Sequence, residues 1–306
     1  MIESNVVEFV DKKANEMNAD GLHHCNLVST IIRQLNGYID GKINLSAKRI
    51  ESLIDCLIGY YTITLDIPLD KGVKILRAVK FDELEEKPCF RKVSRISYIP
   101  KDSGITPGTG RLNMQGQSIF YGCIYFDDRL GGFNIAFSEV NALKNEKINI
   151  LKSETTSEIK VNYIGIYNLV KREAKPYFIT EETYSYFKCV YEYQERKFDK
   201  WLFVAFQLCD AFFSDVLRKE ESTRLYVVTS TLAALFLEGD RVDGIIYASV
   251  KADGSPVIAL KPSSVDDKIS HKEAVSFEIQ EDYGYAMYKA SPLYQGTVNG
   301  EVIDWS

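Results

Sequence analysis

Between positions 77 and 139 the chain carries Arg77, Arg111, Tyr121 and Glu139, a set of residue types suited to an anionic ligand with an aromatic ring. A guanidinium presents a planar fork to phosphate oxygens. A tyrosine offers a face on which a ring can stack, and a fixed carboxylate stabilises positive charge as it develops. Spacing alone leaves a plainer alternative open, in which the arginines are solvated and the tyrosine is core. Histidine is scarce, with only His23, His24 and His271 in the chain. This argues against most metal sites and most Ser-His or Cys-His catalytic arrangements. Cys25, Cys56, Cys89, Cys123, Cys189 and Cys209 form no C-x-x-C pair and read mostly as buried free thiols.

Composition narrows the setting in which these residues act. The 306 residues are 45% apolar and 26% charged, as in an ordinary folded protein of one large or two modest domains. Asp and Glu outnumber Lys and Arg 43 to 37, a net charge of −6 that gives no global positive field for nucleic acid. No run approaches the roughly 18 apolar residues of a membrane helix, and the start Met1-Ile2-Glu3-Ser4-Asn5 lacks secretory character. A cytoplasmic chain with no membrane partner is the expectation.

The elements that must position the chemistry fall into three stretches. Residues 1–70 read as a helical extension, with apolar stripes at Val6, Phe9 and Val10 and at Leu27, Ile31, Ile32 and Leu35. The clearest helix places Ser46 at the N-cap and Ile50, Leu53, Ile54, Leu57 and Ile58 on one face. These helices are expected to pack on a β-rich body. That body begins after Gly72, with strands over 73–79, 96–99 and 119–126. Residues 142–158, rich in Lys, Glu, Ser and Thr, read as a surface excursion, and 159–170 as a strand. Helices follow over 181–218, where Tyr184, Phe187, Tyr191, Trp201, Val204, Leu208 and Phe212 read as core, and over 230–238 before Gly239. A strand at 244–250 turns at 252–255 into its hairpin partner, 257–260.

The order of the blocks adds a further reading. Ile75-Leu76-Arg77-Ala78, Gly110-Arg111-Leu112-Asn113 with Gly116, Phe120-Tyr121-Gly122, Ala136-Phe137-Ser138-Glu139 and Asp243-Gly244-Ile245-Ile246-Tyr247-Ala248-Ser249 resemble the RES-domain family, over roughly residues 73–262. The family takes its name from an Arg, a Glu and a Ser. The resemblance implies an α+β chain with an ADP-ribosyltransferase-like mixed or split β-sheet core, flanking helices and an N-terminal helical extension. It divides the chain into that extension at 1–70, an NAD-binding catalytic domain at 71–262 and a C-terminal extension at 263–306 packed on it. It also implies destruction of NAD+ as the substrate, without a metal, by a growth-inhibiting toxin held in check by an antitoxin protein, in a homo-oligomer.

Carried over, the family's roles fall on Arg77, Glu139 and Ser249 as catalytic residues and on Arg111, Asn113, Tyr121 and Tyr247 as NAD-binding residues. Nicotinamide in NAD+ is already a cationic pyridinium, so it leaves without a general acid through an oxocarbenium-like transition state. In the implied mechanism Glu139 stabilises that cation and holds a ribose hydroxyl. Arg77 and Arg111 grip the pyrophosphate, Tyr121 stacks on nicotinamide and Ser249 bonds to ribose or carboxamide. Arg91 and Arg95 are alternative positions for the first arginine. Two features depart from the family: the stretch Asp127-Asp128-Arg129-Leu130-Gly131-Gly132 looks long, and Ser255-Pro256 stands where Gly-Asn is common. Transfer of ADP-ribose to a protein or nucleic acid, and a catalytically silent interaction protein or NAD+ sensor, are the competing readings.

Overall fold

The computed structural model describes residues 2–61, 66–82, 87–125, 131–176, 178–252 and 254–306. Its helices are α1 (Ser4–Met17), α2 (Gly21–Ile39), α3 (Ala47–Ile58), α4 (Gly131–Glu139), α5 (Ile166–Lys171), α6 (Glu181–Lys197), α7 (Lys200–Arg218), α8 (Thr223–Phe236) and α9 (Pro262–Lys268). Its strands are β1 (Asp66–Leu69), β2 (Lys74–Lys80), β3 (Phe120–Tyr125), β4 (Lys147–Thr155), β5 (Ile159–Tyr163), β6 (Gly244–Ala248), β7 (Pro256–Leu260), β8 (Ile269–Asp282), β9 (Tyr288–Asn299) and β10 (Val302–Trp305). The chain is α+β and packs as two compact units.

The first unit joins Met1–Ile67 to Asn162–Phe236. The N-terminal helices therefore share a core with α5–α8: α1 packs on α6, α2 on α7 and α3 on α8. The reason lies in their faces. The Ser46 hydroxyl caps α3 by accepting from the Arg49 amide at 3.2 Å, and Ile50, Leu53, Ile54 and Leu57 form one buried stripe. Asp199 caps α7 in the same way, accepting from the Trp201 amide at 2.9 Å. Phe203, Phe206, Phe212 and Phe213 of α7 are buried and give the facing stripes large apolar partners. Trp201, read as core, is 42% exposed because it stands in the first turn of α7, off the buried face.

The second unit joins Pro68–Val161 to Leu237–Ser306. Among the described residues the sheet runs β1-β5-β6-β7-β3-β2-β4-β8-β9-β10, and the chain passes between units within β1 and β5. The pairs β6–β7, β7–β3, β3–β2, β2–β4, β4–β8, β8–β9 and β9–β10 are antiparallel.

Three expectations are corrected by the sheet and its neighbouring loop. Much of 142–158 is not a surface excursion but β4, an interior strand of the sheet with Ile148, Ile150 and Leu151 buried. Its polar residues mislead because they are satisfied internally: buried Asn149 accepts from the Phe90 amide at 3.0 Å and donates to the Pro88 carbonyl at 2.9 Å. Nor is 263–306 an appended extension, since it supplies β8, β9 and β10. Residues 96–99 also form no strand; a 3-10 turn at Val93–Arg95 precedes them and the Ser97 amide returns to the Val93 carbonyl.

The two faces of the sheet carry different cores. One face packs Leu76, Cys123, Ile148, Ile150 and Phe277 against Ala136 and Phe137 of α4. The other holds Leu151 and Ala274 with Phe90, Val93, Ile96 and Ile303. Helix α4 lies close on the first face because Gly132 has no side chain; a Cβ there would stand 2.8 Å from Tyr125 Cβ and 3.2 Å from Leu76 Cδ1.

Candidate functional site

Glu139 is the last residue of α4, half-buried, and its carboxylate accepts a hydrogen bond from the Ser249 hydroxyl. Ser249 follows the end of β6 and is buried. Its oxygen accepts from the Lys251 amide at 3.0 Å and the Ala252 amide at 2.8 Å. With both lone pairs engaged, the hydroxyl proton points at Glu139. The Lys251 ammonium, in turn, donates to the main-chain carbonyl of Glu139 at 3.2 Å, where a cation complements a helix C-terminus. The carboxylate is thus held from its side chain and from its own backbone.

Tyrosines, a thiol and an arginine surround this pair. Tyr247 on β6 is buried, and burial raises its hydroxyl well above the ordinary phenol range, with the charge of Glu139 and then Tyr121 adding to the shift and Arg111 opposing it. It remains a neutral donor at any ordinary pH. Cys123 on β3 is raised well above the usual thiol range by burial, then by Glu139, with Arg77 opposing, so it is no thiolate nucleophile. Tyr121, on the same strand face as Cys123, anchors the loop before it: its hydroxyl donates to Asn113 Oδ1 at 2.8 Å and accepts from the Leu112 amide at 2.9 Å. Arg111 lies beside that anchor, half-buried.

The seven candidate residues do not all converge. Glu139, Ser249, Tyr247, Tyr121 and Arg111 share one region on the α4 face of the sheet. Buried Asn113 works on its own loop, its amide donating to the carbonyls of Gly108 at 2.7 Å, Gln117 at 2.9 Å and Met114 at 3.2 Å. These bonds fix the loop that carries Arg111.

Arg77 lies on the other face. Side chains alternate along a strand, and Leu76 packs under α4, so its neighbour Arg77 projects towards Phe120 and Ile96. There its Nε donates to the Ile96 carbonyl at 2.7 Å and Nη1 to the Tyr121 carbonyl at 2.9 Å. Its guanidinium sits 5.5 Å from the Phe120 ring centroid. Burial lowers its pKa to about 10, Tyr121 and Cys123 opposing, so it stays charged at neutral pH. Its two hydrogen bonds tie segment 93–97 to β3, and no hydrogen bond joins it to Glu139 or Ser249, so among the described contacts it meets the Glu139 region only through the Tyr121 main chain and the charge it sets near Cys123.

The alternatives fare no better as partners of Glu139. Arg95 pairs with Asp82 at 3.4 Å and lies 4.9 Å from the Phe90 ring centroid, while Arg91 is exposed beside β10. The stretch 127–132 lies outside the described residues up to 130. Lys251 is the contributor the sequence reading missed; its only signal is its place two residues after Ser249.

What the arrangement offers chemically is a carboxylate of fixed orientation, a cation at Arg111 and two aromatic rings. No group of three His, Cys, Asp or Glu side chains that could hold a metal is present among the described residues, and none of the described helices is long and apolar enough to cross a membrane. The chain matches no protein-family model, no curated protein and no solved structure.

Proposed function

We propose that this chain cleaves the bond between nicotinamide and ribose in NAD+, on an ADP-ribosyltransferase-like core. The observation that carries the reading is the Ser249 hydroxyl held on the Glu139 carboxylate by two main-chain amides. A carboxylate fixed in this way suits a reaction whose transition state is a ribosyl cation and whose leaving group is neutral once expelled. Glu139 stabilises the cation, and Ser249 sets its direction without itself touching the ribose. Arg111 binds the pyrophosphate, and Tyr121 or Tyr247 supplies the face for the nicotinamide ring. Arg77 acts from behind the sheet by fixing β3.

An NAD+ consumer of this kind depletes a cofactor the cell needs, which fits a growth-inhibiting toxin restrained by a partner protein that blocks the pocket. The test is nicotinamide release from NAD+ by the purified protein, with and without inorganic phosphate. Release that disappears in Glu139→Gln supports the reading, and the product, ADP-ribose or its phosphorylated form, identifies the acceptor. Equal release by wild type and Glu139→Gln, or none by either, overturns it.

A further inference from the structure

A groove of about 730 Å³ opens in the second unit between residues 87–91 and β10, lined by Lys87, Cys89, Arg91, Val302, Asp304 and Trp305 among others. It is separate from the Glu139 region and lies beside the core that contains Phe90 and Ile303. Its volume is within the range of small-molecule sites. The floor is fixed. The Trp305 indole nitrogen donates to the Phe90 carbonyl at 2.9 Å. The ring packs on Gly296, where a Cβ would stand 3.0 Å from indole Cδ2. The Ile303 amide donates to the Arg91 carbonyl at 2.9 Å and the Val93 amide to the Glu301 carbonyl at 3.0 Å, so the two walls are stitched together by main chain.

On this rigid frame the side chains are chemically mixed. Lys87 and Arg91 are exposed, and neither forms an ion pair with a described residue; Lys87 rests 5.4 Å from the Tyr294 ring centroid. Two cations are thus concentrated in an acidic chain, next to an indole whose remaining surface lines the groove. The Asp304 carboxylate accepts from the Asn299 amide through one oxygen, which leaves the second for another donor.

We propose that this groove binds a nucleoside diphosphate. The base stacks on Trp305, the ribose hydroxyls donate to Asp304 and the diphosphate takes the Arg91 fork and the Lys87 ammonium. Each of these four side chains then has a partner of matching chemistry: a ring for the ring, hydroxyl donors for the carboxylate, and phosphates for the cations. A bare phosphate leaves the indole and Asp304 unused, and an acidic peptide leaves Asp304 repelling its ligand. The inference does not rest on the NAD+ reading of Glu139.

The chain has two tryptophans, Trp201 and Trp305, so Trp201→Phe makes Trp305 the sole indole reporter. Titration of that full-length variant with ADP is expected to quench its emission saturably, with half-saturation on the order of 100 μM. Arg91→Ala and Lys87→Ala should each weaken binding about tenfold, the scale of one lost charge-assisted contact. Arg111→Ala should leave the quenching unchanged. The proposal is overturned by any of three results: no saturable quenching up to about 5 mM ADP, binding in Arg91→Ala and Lys87→Ala as tight as in the Trp201→Phe parent, or adenosine binding as tightly as ADP. Loss of quenching in Arg111→Ala likewise overturns it, by assigning the ligand to the Glu139 region.

Discussion

Ser249 and Glu139, 110 positions apart in sequence, are joined by a hydrogen bond in which the serine can only donate, because its oxygen already accepts from the amides of Lys251 and Ala252. The serine therefore acts through the carboxylate. Removing it should lower turnover and not substrate affinity. For Ser249→Ala the expected result is a fall in kcat of up to about a hundredfold, the effect of misplacing a catalytic group by about 1 Å, with KM for NAD+ within about twofold. Steady-state nicotinamide release measures both. A rise in KM at constant kcat would instead put the serine in direct contact with substrate.

Arg77 presents the opposite case, a residue whose loss should appear as instability. It bridges the Ile96 and Tyr121 carbonyls, and hydrogen bonds to a charged donor contribute about 1.5–3 kcal/mol each. Arg77→Met is expected to destabilise the second unit by about 3 kcal/mol, and Arg77→Lys to rescue little, since one ammonium does not reproduce the two-armed guanidinium. Denaturant unfolding checks both. Unchanged stability in Arg77→Met, with turnover abolished, would return the arginine to the catalytic group.

The contrast between these two residues shows what was legible in the sequence. Periodicity located α3 and its Ser46 cap, because a 3.6-residue stripe and an N-cap are local signals. The order of blocks singled out Glu139 and Ser249, which do meet. That Arg77 bonds to Ile96 and not to Glu139 was hidden, because a sequence shows its strand but not which face of the sheet each side chain takes, and a shift of one residue reverses the face. Strand β4 was missed for a different reason. Asn149 and Ser153 look like surface residues until Phe90, Pro88 and His271 supply their partners from 59 to 118 positions away. The division into units was equally hidden, since α2 and α7 find each other across the whole of β1–β5.

Asp210 on α7 is expected to make the first unit less stable as pH rises. It is buried, and burial raises its pKa from 3.8 to about 7, although amides of Gly165, Asn168 and Tyr167 lower it in part. Between those values the folded state keeps a proton that the unfolded chain has lost. Stability therefore falls from about pH 4 to about pH 7 and is level above that. The size of the effect is about 4 kcal/mol. Asp210→Asn should remove this slope. The check is the difference between wild-type and variant unfolding free energies across pH 4 to 8; a difference that does not change with pH would mean that the carboxyl is ionised throughout.

His271 on β8 should produce a slope of the other sign in the second unit. Its Nδ1 lies 2.8 Å from the Ser153 hydroxyl and its Nε2 3.2 Å from that of Ser97. The ring stacks on Phe120, with centroids 6.1 Å apart. Burial lowers its pKa from 6.5 to about 4, opposed by the charge of Asp266. Below pH 6.5 the unfolded chain takes up a proton that the folded state refuses until about pH 4, so stability is full above 6.5 and is lost as pH falls through that window. The loss is about 3 kcal/mol. His271→Gln, which keeps a side chain able to bond both serines, should unfold with about 3 kcal/mol less acid sensitivity between pH 6.5 and 4. Carboxylates titrate in the same range, so the wild-type minus variant difference is the quantity to follow by chemical unfolding. If that difference stays flat to pH 4, the imidazole is already charged in the folded protein, and the two serines face a cation instead of a neutral ring.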